Sequence, residues 1–125
     1  MKRQNFATEF LRMEAAIWLA VGLVGFYSFH GSWLLFAFCF LIPDLGLLGY
    51  FVNSRVGGLT YNLMHTEIGP LFFAGLGYFM GPPIFLHLAL IWFCHINFDR
   101  MLAIGLKIKD QFDETHLGIS PFAKK

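Results

Sequence analysis

An all-α integral membrane fold, four helices running up, down, up and down, is what this sequence predicts. Three observations carry that expectation. The 125 residues are 57% hydrophobic and only 14% charged, with sixteen Phe, four Tyr and three Trp, far more than a soluble chain of this size buries. Four windows supply the roughly 20 mostly apolar residues that a membrane-crossing helix needs: Phe6–Phe29, Trp33–Val52, Val56–Met80 and Pro83–Leu106. The connectors "HGS" (30–32), "NSR" (53–55) and "GPP" (81–83) are short and turn-forming, so neighbouring spans run antiparallel in a bundle. No ten-residue segments of alternating polarity occur, which argues against a membrane barrel.

Taken in order, the first window follows "MKRQ" and mimics a secretory leader, but Arg12, Glu14 and three further apolar runs mark it as a retained span. The second contains "IPDLGLLGY", where Pro43 removes a backbone donor and kinks the helix just before Asp44. The third opens with Gly57 and Gly58 and carries "YNLMH"; Pro70 marks a kink further along. The fourth begins at Pro83 and ends with "HINFDR". Gly22/Gly25, Gly46/Gly49, Gly57/Gly58 and Gly75/Gly77 offer small surfaces for close helix approach. Residues 1–106 thus form the bundle. Residues 107–125 form an amphipathic cytoplasmic tail, read as solvated or interfacial, or as a segment whose Asp113 or His116 folds under the bundle.

Basic residues set the orientation. Lys2, Arg3, Arg12, Arg55, Arg100, Lys107, Lys109, Lys124 and Lys125 all fall on one side, while the first and third connectors carry neither Lys nor Arg. Both termini are therefore expected in the cytoplasm of a cell with an inner membrane. The net charge of +1 provides no footprint for nucleic acid. Cys39 and Cys94 lie inside apolar runs and read as packing residues. The expected partners are the bilayer, a lipid-like substrate and further copies of the chain.

The ionisable residues within the spans share one depth. At a rise of about 1.5 Å per residue, Glu14 and Asp44 each lie about 12 Å inside the cytoplasmic ends of their spans, and His65 about 13 Å. His95 and Asp99 lie about 16 and 10 Å above Leu106 on the same scale. His95 and Asp99 are spaced i,i+4 and share a helix face; Tyr61 and Asn62 share one with His65. Converging carboxylates repel, so protons, a basic side chain or a cation must balance them. Arg100 follows Asp99 directly and points elsewhere, to lipid phosphates or to Glu14.

Asp44, His65, His95 and Asp99 form an N/O ligand set suited to zinc, iron or manganese. Glu14 is then the candidate base, with Tyr61, Asn62, Arg100 and His116 around the ligands. The chemistry expected is metal-dependent hydrolysis of a membrane-associated substrate. Three other readings stand beside it. The polar residues can be interhelical glue in a structural or assembly protein, His65 and His95 can be axial haem ligands, or the group can relay protons or ions.

The segments "LRMEA", "IPDLGLLGY", "VGGLTYNLMH", "HINFDRMLAIGLK" and "THLG" resemble a family of small bacterial four-span membrane proteins known as a domain of unknown function. The resemblance spans nearly the whole chain. It matches at Glu14, Pro43, Asp44, Tyr50, Tyr61, Asn62, His65, His95, Asp99, Arg100, Lys107 and His116, and departs at "MLAIGLK" and Glu67. It implies the architecture and the importance of these polar positions. It implies no activity.

Overall fold

The computed structural model describes residues 6–107 and 114–119. Five α-helices and one 3-10 segment follow one another: α1 (Phe6–Ser28), α2 (Trp33–Cys39), the 3-10 segment (Ile42–Phe51), α3 (Ser54–His65), α4 (Ile68–Met80) and α5 (Pro83–Met101). A two-residue antiparallel hairpin, β1 (Glu114–Thr115) and β2 (Gly118–Ile119), closes the described chain. The fold is helical, as the sequence predicts.

Among the described residues two runs, Phe6–Ser28 and Trp33–Phe51, are long and apolar enough to cross a membrane; α4 is a shorter apolar helix. Three of the expected windows differ from the structure in how far a single helix runs. Val56–Met80 is not one helix. Thr66 takes extended backbone (φ −92°, ψ 154°) between α3 and α4. Pro70 supplies the reason: without an N–H it cannot bond the Thr66 carbonyl, so no helical turn spans the junction. Trp92 Nε1 donates instead to the Met64 carbonyl left over at the end of α3, at 2.6 Å. Trp33–Val52 is likewise broken, because α2 stops at Cys39 and the chain tightens into the 3-10 run that starts before Pro43.

The fourth window stops at Met101 rather than Leu106. The Ile104 N–H reaches the Asp99 carbonyl (2.8 Å) and the Ala103 N–H reaches Arg100 (3.0 Å), with Ala103 at φ 64°. That is the bonding of a Schellman stop, with alanine where glycine is usual.

Helix α5 is the centre of the molecule; α1 and α4 pack along it, and the 3-10 segment packs along α3. Thr8, Ala15, Gly22 and Phe26 form the buried stripe of α1, at the spacing of one helix face. Gly22 meets α5 at Cys94, whose Sγ lies 2.7 Å from where a Cβ would stand. In a 3-10 helix residues i and i+3 eclipse, which sets Pro43, Gly46 and Gly49 in one row. Thr60 Oγ1 donates to the Gly46 carbonyl at 2.6 Å, so the two backbones nearly touch. Gly75, by contrast, has open space where a Cβ would be and serves no close approach. The outward faces of α1, α2 and α4 expose apolar side chains almost throughout, among them Ile17, Val24, Phe38, Leu71 and Phe79.

Candidate metal centre

Three elements deliver four side chains to one point. The 3-10 segment contributes Asp44, the last residue of α3 contributes His65, and α5 contributes His95 and Asp99 one turn apart. Their positions follow from local sequence. Pro43 and the glycine row hold the 3-10 segment against α3, which carries Asp44 toward His65. The helix break at Thr66 leaves His65 at a terminus, where no further turn of α3 covers it.

The Nε2 atoms of His65 and His95 stand 3.1 Å apart. Asp44 Oδ1 is 3.3 Å from each, and Asp99 Oδ2 is 3.2 Å from His65 and 3.3 Å from His95. All four ligand atoms lie within 4.8 Å of one another. Both imidazoles are buried, whereas the Asp44 side chain is 39% exposed and forms the open side.

The surroundings hold the rings in place. His65 Nδ1 donates to the Tyr61 carbonyl at 2.9 Å, which leaves Nε2 as a bare acceptor when the ring is neutral. The Tyr61 ring stacks on His65 with centroids 3.9 Å apart, and Phe40 meets His95 edge-on at 5.2 Å. His95 Nδ1 is buried and has no hydrogen-bond partner among the described residues.

This geometry fits a metal ion. With bonds of about 2.0–2.1 Å, ligands at the corners of a tetrahedron lie about 3.3 Å apart. The nitrogen–nitrogen distance and all four nitrogen–oxygen distances are close to that edge, while the four atoms as a set are held only to within 4.8 Å, so they form a four-donor cluster rather than a closed tetrahedron. Two charged imidazoles, each with a proton on Nε2, would repel at 3.1 Å, so either one Nε2–H donates to the other nitrogen or a cation stands between them. The buried Asp/His/His/Asp group can therefore hold a metal ion.

The remaining residues of the expected site fall elsewhere. Glu14 is not brought to the ligand group; it lines a separate cavity with Trp18, Glu67, Asn97, Arg100 and His116. Arg100 pairs with Glu67 at 3.5 Å rather than with Glu14. Asn62 makes no hydrogen bond to His65. Its Nδ2 donates to the Lys107 carbonyl at 2.9 Å and its Oδ1 accepts from the Lys107 N–H at 2.7 Å, so it clamps the chain leaving α5. His116 Nδ1 accepts from the Leu106 N–H at 2.8 Å. Partial desolvation and the nearby Arg100 charge hold its imidazole below the usual pKa. Asp113 lies outside the described residues.

Two groups escape a reading of the sequence. Lys107, there a marker of orientation and a position matched in the resemblance, is 6% exposed, with its Nζ 4.8 Å from the centre of the Tyr61 ring behind His65. Glu67, to which the sequence gives no role, accepts from Asn97 at 3.1 Å and pairs with Arg100. The tail segment around Thr115 and Leu117 is buried against the helices, with Thr8 Oγ1 donating to the Leu117 carbonyl. Only the helix periods of α1 and α5 could announce any of this, because the hairpin's return is a long-range event.

No curated protein and no solved structure matches the chain. Residues 8–119, which include every residue of the four-ligand group, match the family described as domain of unknown function DUF4260, and the chain belongs to that family.

Proposed function

We propose that the chain is a four-span protein of the cytoplasmic membrane with both termini inside, and that Asp44, His65, His95 and Asp99 bind a divalent transition metal to hydrolyse a membrane-associated ester, phosphoester or amide. The observation that carries this reading is the 3.1 Å separation of two buried Nε2 atoms, bridged on each side by a carboxylate oxygen. Zinc, iron and manganese all accept a set of two imidazole nitrogens and two carboxylate oxygens, and further ligands could join at the open side. The membrane assignment is supported by the exposed apolar faces of α1, α2 and α4, which in water would be a large aggregation surface.

Each residue then has a stated task. His65 binds through Nε2 because Tyr61 holds its Nδ1 proton. His95 and Asp99, one turn apart on α5, keep a fixed spacing. Asp44 sits at the exposed side, where a substrate carbonyl or phosphoryl oxygen approaches. A bound metal would supply Lewis acidity and a more acidic water. Glu14 has no part in this reading, since it lines a different cavity.

The structural-glue reading has one observation in its favour: the His–Asp contacts join the 3-10 segment, α3 and α5 directly. The haem reading loses support, because imidazoles 3.1 Å apart leave no space for a porphyrin between them. Elemental analysis separates the first two. The hydrolase reading expects near-stoichiometric transition metal in purified protein, lost in His65→Ala and Asp99→Ala together with turnover of ester or phosphoester lipids. Metal-free protein of unchanged stability would favour glue.

A further inference from the structure

The chain that leaves α5 is fastened to α3 and then to its own tail. Asn62 holds residue 107 by both backbone groups, at 2.7 Å to the N–H and 2.9 Å to the carbonyl. Lys107 in turn bridges Thr115. The His116 N–H donates to the Leu106 carbonyl at 3.0 Å, while His116 Nδ1 accepts from the Leu106 N–H at 2.8 Å. Lys107, Thr115 and Leu117 are all buried. Residues 105–107 and 114–119 therefore dock on the helices as one piece, with Asn62 as an anchor.

Asn62 follows Tyr61, and Tyr61 orients His65. The Tyr61 carbonyl takes the His65 Nδ1 proton at 2.9 Å, and its ring stacks on the imidazole at 3.9 Å with the planes 11° apart. Lys107 Nζ lies 4.8 Å from the centre of the same ring. The imidazole fills one face of the phenol, so the ammonium stands over the other. Lys107, Tyr61 and His65 thus form three layers that join the docked tail to the four-ligand group. If the tail lifts, Tyr61 loses the cover of one face, and the ordering of the His65 ring must be met by whatever binds there.

We propose that Lys107 is a positioning residue of the metal centre, acting through Tyr61 on His65, so that the docked tail and a metal at Asp44, His65, His95 and Asp99 stabilise each other. This role rests on the metal reading above. Charge alone has the opposite sign: an ammonium near a cation site repels the metal, so its removal by that effect would tighten binding. Loss of positioning weakens it.

Zinc affinity of full-length protein in phosphatidylcholine nanodiscs, measured by competition with a chelator, tests this. Lys107→Met keeps a long apolar stem and drops the charge. It should weaken zinc about tenfold or more, as loss of a group that orients a metal ligand does. Gly105→Ala disturbs the tail with Lys107 intact, because an added Cβ would stand 2.7 Å from His116 Nδ1 and 3.0 Å from Leu117 Cγ. It should weaken zinc as well. Coupling is reciprocal, so saturating zinc should slow hydrogen exchange over 114–119 in the wild type, and Tyr61→Leu should abolish that slowing. A wild type that binds no zinc would overturn the metal reading and this role with it. A wild type that binds zinc, beside folded Lys107→Met or Gly105→Ala with equal or tighter affinity, would overturn the positioning role alone. So would exchange over 114–119 that is indifferent to bound zinc.

Discussion

His65 and His95 present their Nε2 atoms to each other at 3.1 Å, although they are thirty positions apart and belong to different helices. His65 donates its other ring proton to a carbonyl of its own helix, so the facing nitrogen has no proton when the ring is neutral. His95 Nδ1 has no partner among the described residues, so either its proton stands on Nε2 and donates to this acceptor-rich group or a cation stands there instead.

Gly46→Ala tests whether the 3-10 segment positions Asp44. A Cβ at residue 46 would stand 2.8 Å from the Thr60 carbonyl and 3.1 Å from the Tyr61 Cα. The two backbones must separate, at a cost of about 1–3 kcal/mol. Asp44 moves with its segment. Thermal unfolding should register the loss, and metal affinity should fall without any change to a ligand.

Asn62→Leu tests the clamp on the chain after α5. It removes both amide bonds to residue 107 and leaves a backbone N–H and C=O without those partners. A cost of about 1–3 kcal/mol per unsatisfied group is expected. Hydrogen exchange over 114–119 should accelerate before exchange in α1 or α5 does. Uniform acceleration across the molecule would place Asn62 in the general core instead.

Ala103→Gly should stabilise the protein. Alanine at φ 64° sits in the left-handed region, which costs an L-residue about 1 kcal/mol relative to glycine. A shift of that size in a denaturation midpoint, with metal content unchanged, is the expected result. Destabilisation would show that the Ala103 methyl makes contacts worth more than the strain.

His116 makes docking of the tail pH-dependent. Its folded pKa is depressed, chiefly by desolvation and then by Arg100. A depressed value means that the unfolded state takes the proton first. The contribution to stability is therefore complete above the ordinary imidazole pKa of about 6.5, and is lost as pH falls from there through the lower folded value. Protonation also abolishes the bond that Nδ1 accepts from Leu106. Fluorescence of Trp18, which lines the same cavity, should change over that acid range, and the change should vanish in His116→Gln.

Much of the ligand group is legible in the sequence. The i,i+4 spacing of His95 and Asp99 and the proline beside Asp44 are local signals, and equal depths in the four windows indicate that they meet. Glu14 is misplaced by the same reasoning for a physical cause. Depth can be read from a sequence, but the face of α1 is decided by Ala15, Gly22 and Phe26 seating against α5, and that seating turns Glu14 toward Arg100 and His116. Lys107 cannot be read as a buried cation, because its burial depends on the return of Thr115, with which it forms a bridge. The break at Thr66 is half visible in Pro70, which on its own predicts only a kink in a continuous helix. The stop at Ala103 is hidden because glycine, the usual signal, stands two residues later.

X-ray absorption at the metal edge of purified, zinc-loaded protein examines the ligand group most directly. Only nitrogen and oxygen neighbours at about 2.0–2.1 Å are expected, with scattering from two imidazole rings, and no zinc should be retained by His65→Ala. Zinc that fails to bind near stoichiometrically, or that binds with sulfur neighbours from Cys39 or Cys94, would contradict the assignment of Asp44, His65, His95 and Asp99 as its ligands.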